Sequence, residues 1–208
     1  DYRRERVELI VSMTGGRGSN TENGWGLYRS AVAAMAGMSR YALDGSPVME
    51  RWEKEKPGES ISSDEILWAA GGLRPSLPEW IGEEGVRVVE QFHRTGLPKM
   101  LDQLAEETRY FPPIDAAEPA IAVLLPGLGE ARTTARFNAG RMMVALRKGD
   151  EKEFVRAARH NGAVSRATAS EAVAISHLVS NAIDTLTMTR VIEATLREPL
   201  SPTLAASC

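Results

Sequence analysis

A glycine-rich segment near the start of the chain is the stretch most suggestive of chemistry. Residues 12–25 read SMTGGRGSNTENGW, after the apolar run VELIV and before a segment with helical spacing. A strand, a glycine loop and a helix in that order can cradle phosphate through backbone N–H groups. The P-loop pattern requires a lysine after its last glycine, but Gly18 is followed by serine; the dinucleotide pattern requires a glycine where Thr21 stands. We therefore interpret residues 1–22 as an N-terminal extension or linker that ends in a helix cap.

A second candidate lies on the predicted C-terminal helix, where His177, Asn181 and Asp184 recur at the spacing of one helical face. Such a face indicates a polar groove or a weak metal site. The other interpretation is a helix flank with small residues that faces solvent or packs closely. Zinc needs three or four convergent ligands, and no histidine of this chain has a histidine partner one turn away. The three residues are candidate binding residues, and no metal is predicted.

Arginines form the third candidate. Arg132 and Arg136 are one helical turn apart, a spacing that can clamp a carboxylate or a phosphate, and the alternative is a charged face in solvent. No catalytic residue is predicted, because the paired carboxylates lie on acidic helix faces and the serines lack the G-x-S-x-G pattern of a nucleophile elbow.

Helices must position these residues, because helix signals recur along most of the chain. Three serine–glutamate pairs have capping-box spacing, namely Ser19 with Glu22, Ser62 with Glu65, and Ser76 with Glu79. Glycine and proline mark the predicted ends and turns, at Asp44-Gly45, Gly71-Gly72, Gly96 with Pro98, Phe111-Pro112-Pro113 and Gly149-Asp150.

The second half is predicted to be a helical hairpin followed by a long helix. The first helix starts at Pro126 and the Gly149-Asp150 turn follows it. The next helix ends or bends at Asn161-Gly162, and the long helix runs from about residue 168 to 197. The apolar stripe predicted to face the core on the long helix is Ala172, Ile175, Leu178, Val179, Ala182, Ile183 and Leu186.

The fold class predicted from these signals is all-α, built from irregular antiparallel helical hairpins. VELIV is the single strand candidate, and one strand does not make a sheet. Residues 23–208 are predicted to form one helical domain, with an irregular half at 23–113 and a helical-hairpin half at 117–208.

Composition supports a globular protein, with 43% hydrophobic and 25% charged residues among 208. A single cysteine argues against an internal disulfide framework. Net charge is −3, with −8 over residues 44–120 and +4 over residues 121–160. That positive balance is too small to indicate nucleic acid as a partner.

One sequence layout resembles a known group of proteins. Residues 145–158, ALRKGDEKEFVRAA, resemble the middle of a tetratricopeptide-like unit. A wider layout resembles that of uncharacterised bacterial all-helical, tetratricopeptide-like proteins. It consists of N-x-W-x-L-Y near the start, then LLPGLGEAR, the GD hairpin and HLVSNAIDTL. Such proteins often have an N-terminal membrane anchor. The resemblance implies an anchor upstream of this chain and a membrane-tethered location outside the cytoplasm, and it transfers no catalytic residue.

The sequence favours a non-enzymatic helical interaction or scaffold domain that binds a protein or peptide partner in a groove between helices. No cofactor is predicted. The alternative is a small-molecule-binding protein or an enzyme of unfamiliar type, with its site near the long C-terminal helix.

Overall fold

A computed structural model describes residues 23–41, 47–112, 120–171 and 174–197. These ranges contain helices and no strand, so the all-α class is confirmed. The glycine-rich segment, the Ser19–Glu22 pair and the Asp44-Gly45 stop lie outside the described residues, except for the end of the segment at 23–25. The helices are α1 (Trp25–Tyr41), α2 (Pro47–Glu55), α3 (Ser63–Ala70), α4 (Glu79–His93), α5 (Leu97–Glu106), α6 (Ala120–Lys148), α7 (Glu151–Ala169) and α8 (Ala174–Arg197).

Local signals place several helix ends correctly. The Ser62–Glu65 capping box is confirmed, since the Glu65 backbone N–H donates to Ser62 Oγ at 3.3 Å and the Ser62 N–H donates to the Glu65 carboxylate at 3.0 Å. The Gly71-Gly72 stop is confirmed, with Gly72 at φ +76° after α3. The third capping box is wrong: α4 starts after Pro78 with no side-chain cap.

Three predicted boundaries in the second half are also wrong. Helix α6 begins at Ala120 and continues through Pro126, whose fixed φ is compatible with a helix at the loss of one backbone donor. Helix α7 does not end at Asn161-Gly162, because the Asn161 amide donates across the interface to Ala135 O and Thr187 Oγ1, both at 3.1 Å. It continues to Ala169, and α8 starts at Ala174 rather than near Thr168.

The Gly149-Asp150 turn connects α6 and α7 as predicted. Gly149 has φ +69°, and Asp150 caps α7 by accepting the Glu153 N–H at 3.0 Å. Contacts such as Asn161 with Ala135 show that the two helices run antiparallel. Helix α8 returns antiparallel along α7, with Ser165 Oγ 2.8 Å from Ser180 Oγ.

Helix α6 is the central element, because α1, α3, α7 and α8 all pack on it, while α5 packs on α7 and α3 on α4. The main core joins both predicted halves, since Tyr28, Phe92 and Leu101 belong to the same buried cluster as Phe137 and Val164. A smaller cluster beneath α2 contains Trp52, Ile66 and Ile81.

Candidate interaction surface

The inner side of α8 combines small polar residues with apolar residues that join the core. Ser176, Ser180 and Ile183 are buried there, and Ser180 exchanges a hydroxyl hydrogen bond with Ser165 of α7. Thr187 accepts the amide of Asn161 while donating its own hydroxyl to the Ile183 carbonyl at 2.9 Å. Because small side chains with internal hydrogen bonds fit a close helix contact, α8 packs on α7 through this side.

The outer side of α8 is mostly apolar. Every large hydrophobic residue that stays exposed in the described part of the chain lies on α8: Ile175 (48% exposed), Leu178 (67%), Met188 (56%), Ile192 (54%) and Leu196 (81%). They lie along one side of the helix over about 30 Å. We define the α8 outer face as Ile175, Leu178, Ala182, Thr185, Met188, Thr189, Ile192 and Leu196, all of which are exposed.

The two threonines of the α8 outer face have satisfied hydroxyl groups. Thr185 Oγ1 donates to the Asn181 carbonyl and Thr189 Oγ1 donates to the Thr185 carbonyl, each at 2.8 Å. Neither hydroxyl needs water as a hydrogen-bond acceptor, so covering them has a low desolvation cost. Covering the face therefore leaves neither hydroxyl proton without an acceptor.

The predicted direction of α8 is wrong for part of its apolar stripe. Ile183 is buried and Val179 and Leu186 are half-buried as predicted, but Ile175 and Leu178 point outward, with Ala182 between them. Ala172 lies outside the described residues. The helical spacing of these residues is as predicted. Which side of α8 faces inward depends on α7, because Asn161 and Ser165 of α7 form hydrogen bonds with polar side chains of α8.

His177, Asn181 and Asp184 share one exposed side of α8, as the sequence predicted, and they border the α8 outer face. Ser176 and Ser180, which each precede one of these residues in the sequence, instead face the interior. Among the described residues, no group of three or more His, Cys, Asp and Glu side chains is placed to hold a metal ion.

Arg132 and Arg136 are both exposed on α6, and as a binding pair they stay a prediction. Arg136 already has a partner, because its guanidinium lies 2.9 Å from the Asp64 carboxylate of α3. Burial raises the pKa of Asp64, and the charge of Arg136 opposes that rise. Arg147 is engaged elsewhere, donating to the Ala70 carbonyl at the end of α3 at 3.1 Å.

A buried polar network centred on Arg141 was not found by the sequence reasoning. The Arg141 side chain is fully buried. Its Nε donates to the Glu153 carboxylate at 3.0 Å, and its Nη1 donates to Asn138 Oδ1 at 2.8 Å. The guanidinium also stacks 4.3 Å from the ring centre of Phe92. A signal existed in the sequence: Arg141 falls one turn after Asn138 on the apolar side of α6, where a charge requires a partner.

The network continues through His160 to the surface. Arg141 Nη1 lies 3.1 Å from His160 Nδ1, and His160 Nε2 lies 2.9 Å from Asp102 Oδ1. The guanidinium of Arg141 can only donate hydrogen bonds. His160 Nδ1 is therefore the acceptor, and His160 Nε2–H donates to Asp102. Asp102 also accepts two hydrogen bonds from Arg156, at 2.9 and 2.6 Å.

The His160–Asp102 pair has the appearance of a catalytic dyad but lacks its chemistry. A general base needs a free lone pair, and the one on Nδ1 is occupied by Arg141. Burial, with the charge of Arg141 next, lowers the pKa of His160 to about 4. Hydrogen bonds from Arg156 and then His160 lower the pKa of Asp102 to about 2, so the pair is a neutral imidazole beside a carboxylate. The hydrogen bonds of this network connect α5 and α6 to α7.

A second buried polar cluster joins α1, α7 and the start of α8. Tyr28 Oη lies 2.9 Å from Thr168 Oγ1, and burial raises the pKa of Tyr28 to about 12. Glu171 is buried and accepts a hydrogen bond from Ser176, and burial raises the pKa of its carboxyl group. The hydrogen bond from Ser176 to Glu171 also holds this side of α8 towards the interior.

A surface groove lies between α4 and the end of α6, with a cavity volume of about 360 Å³. An ion pair between Lys148 and Glu90, 3.1 Å apart, connects the two helices. Its walls carry charge and its floor is apolar, and the lining residues are Glu79, Glu83, Val86, Val144, Arg147 and Lys148.

Among the described helices, none has both the length and the apolar character that crossing a membrane requires. No family model matches the chain, and no curated protein or solved structure matches it either. Support for a function therefore comes from the geometry of the chain itself.

Proposed function

We propose that this protein is a non-enzymatic helical interaction module that binds a protein partner through the α8 outer face. One observation carries the proposal: large apolar side chains lie exposed along one side of α8, with Leu178 67% and Leu196 81% exposed. A surface helix that serves only its own fold exposes mainly polar residues on that side. An apolar strip on the outside of a folded domain typically marks an interaction site.

The size of the exposed surface indicates what the partner must offer. The five large side chains expose the equivalent of roughly three complete ones, each of which contributes about 1.5–3 kcal/mol when buried. That sum is similar to the ~4–15 kcal/mol that association costs. The partner therefore has to bring a matching apolar surface, and an amphipathic helix that lies along α8 supplies one.

The buried polar groups support a binding role over catalysis. His160 is held neutral between Arg141 and Asp102, and each of its nitrogens has a partner. The exposed His177 lies on the border of the α8 outer face, with Asn181 and Asp184 beside it. These three are suited to form the polar rim of an interface, where hydrogen bonds set orientation.

Photo-cross-linking in the native cells tests this function. Benzoylphenylalanine is introduced in place of Leu178 or Ile192, and in place of Lys152 as a control that is also exposed, on α7. Both face positions should give a discrete adduct whose mass identifies the partner, whereas position 152 should not. Adducts that are absent or equal at all three positions would show that α8 binds nothing.

A small-molecule site is the second candidate, and the groove between α4 and α6 favours it. Its volume of about 360 Å³ accommodates a small metabolite, with Val86 and Val144 as an apolar floor. A thermal-shift screen against metabolites tests this role. A compound that raises the melting temperature of the natural chain but not of Glu83→Lys would establish the groove as a binding site. Equal shifts in both proteins would place the compound elsewhere.

A further inference from the structure

Two pairs of residues on the α8 outer face lie at equal distances on either side of Thr185, whereas the counterpart of Thr189 is Asn181, which borders the face. Leu178 and Ile192 each lie seven residues from it, and Ala182 and Met188 each lie three residues from it. At the ends, Ile175 and Leu196 lie ten and eleven residues away. Large side chains therefore occupy both ends of the face and mostly smaller ones the middle. When a second copy is turned by a two-fold rotation next to Thr185, the large apolar residues at one end of the face lie opposite those at the other end, as an isologous dimer interface permits.

We propose that α8 pairs antiparallel with α8 of a second copy of this chain, with Thr185 next to the two-fold axis. The inference rests on the proposed function, since it names the partner of the same face. In this arrangement Leu178 of one copy lies opposite Ile192 of the other, twice in each dimer.

The spacing within the face agrees with direct helix–helix packing. Leu178, Ala182, Thr185, Thr189, Ile192 and Leu196 follow one another in steps of four and three. Steps of four and three place residues on the seam between two helices that cross at about 20°. Small residues in the middle let the helix axes approach closely, and the larger residues at the ends fill the space where the axes diverge.

Charge permits self-pairing as well. None of the eight residues of the α8 outer face is charged, so no like charges meet when the face is placed against its own copy. Asp184 lies one position before Thr185, on the border and off the seam. The hydroxyls of Thr185 and Thr189 donate within their own helix, so neither proton loses its acceptor when water leaves.

The area sets the expected affinity. A seam about 30 Å long and about 10 Å wide covers less than half of the ~800 Å² per partner that stable complexes bury. The dimer should therefore dissociate in the micromolar range and show concentration-dependent mass.

Sedimentation velocity on the full chain tests the pairing. The mass should rise from 22.7 kDa towards twice that value between about 1 and 200 μM. Leu178→Glu alone and Ile192→Lys alone should remain monomeric, because each places a charge against an apolar side chain. A 1:1 mixture of the two variants should dimerise again, since the antiparallel arrangement sets the new carboxylate opposite the new ammonium group.

Matched variants control this experiment. Asp184→Lys changes charge on the same helix but off the seam, and it should dimerise like the natural chain. Far-UV circular dichroism checks that each variant folds, which their exposed positions favour. A chain that is monomeric throughout the range, or a mixture that fails to recover, would overturn the antiparallel pairing.

Disulfide trapping tests the register, in a Cys208→Ser background. Thr185→Cys should give a covalent dimer on mild oxidation, because the residue faces its own copy near the axis. Leu178→Cys should not link to itself but should link to Ile192→Cys in a mixture. Self-linking of Leu178→Cys would mean parallel helices and would refute the proposal.

The cross-linking in cells separates this inference from the proposed function. If the purified chain stays monomeric while position 178 gives an adduct with a different protein, self-pairing is wrong and the docking role stands. If position 178 cross-links within its own chain, to residues 1–22 or 198–208, both are wrong, because the face is then covered internally.

Discussion

Arg141 places a charged group in the centre of the α6–α7 interface, where its guanidinium contacts side chains from three helices. It pairs with Glu153 and Asn138, approaches His160, and stacks on Phe92 of α4. A buried guanidinium is tolerated only when its donors are satisfied, and each of its three nitrogens has an acceptor here. The same set of bonds fixes which faces of α6 and α7 meet.

Removal of this group should therefore cost more than the loss of a surface ion pair. Arg141→Met is expected to lower the free energy of unfolding by about 3–5 kcal/mol, because Asn138 Oδ1 and His160 Nδ1 lose their donor and Glu153 loses its main counter-charge. Arg159→Met is the control: Arg159 is 60% exposed and pairs with the exposed Glu106, so its loss should change stability by less than about 1 kcal/mol. Urea unfolding measures both, and equal losses would contradict the role given to the network.

His160 should make the fold sensitive to acid. Its pKa is about 4 in the folded chain, against 6.5 for an ordinary histidine, so the unfolded chain takes up a proton there first as pH falls. Stability present above pH 6.5 is lost as pH falls towards 4, by roughly 3 kcal/mol from this group. The pKa of His93, lowered by burial, adds a contribution of the same sign.

His160→Gln isolates the effect, because an amide can accept from Arg141 and donate to Asp102 without titrating in this range. The variant should be less stable than the natural chain at pH 7.5, and its free energy of unfolding should fall less between pH 7 and pH 4.5. Carboxyl groups such as Asp64 and Glu171, whose pKa values are raised, contribute equally to both proteins and cancel. Parallel pH profiles from urea unfolding would show that His160 does not carry the acid sensitivity.

At the scale of helices, glycine determines how closely α3 and α4 approach. A Cβ atom on Gly85 would lie 2.5 Å from the Ile66 carbonyl oxygen and 2.6 Å from the Ala70 Cβ. No real side chain fits there unless α3 or α4 moves. Gly129 on α6 offers the contrast, since nothing lies within 4 Å of the Cβ position.

The two glycines should respond to alanine with opposite signs. Gly85→Ala should destabilise the fold by about 1–3 kcal/mol through overpacking. Gly129→Ala should stabilise it by up to about 1 kcal/mol, because alanine restricts the unfolded chain and favours the helix. Shifts in the midpoint of urea unfolding give both values, and a stabilising Gly85→Ala would mean that α3 and α4 are not in close contact.

The features that the sequence predicts correctly depend on local information. The Ser62–Glu65 capping box and the Gly149 turn depend on residues within one turn of each other, and the structure has both. The orientation of α8 depends instead on Asn161 and Ser165 of another helix, which bind the polar side. The binding residues predicted on α8 were polar. The α8 outer face consists mainly of the exposed apolar side chains beside them.

At the scale of the whole molecule, the two halves of the chain share one core. Helix α6 packs on α1 and α3 of the first half, and α7 packs on α5. Phe92 and Phe137 come from different halves, and their ring centres are 5.3 Å apart. The Asp102–His160 and Asp102–Arg156 bonds connect the same halves through polar groups. Neither half can separate without exposing buried apolar surface and leaving charges unpaired.

Unfolding should therefore be a single cooperative transition, as the prediction of one domain at 23–208 requires. All four tryptophans, Trp25, Trp52, Trp68 and Trp80, lie in the first half, so their fluorescence reports on that half alone. Far-UV circular dichroism reports on the helices of both halves, including the long helices α6, α7 and α8. The two signals should give the same urea midpoint, and Phe137→Ala in the second half should lower both midpoints equally. If fluorescence keeps its midpoint in that variant while dichroism shifts, the halves unfold independently and the chain contains two cooperative units.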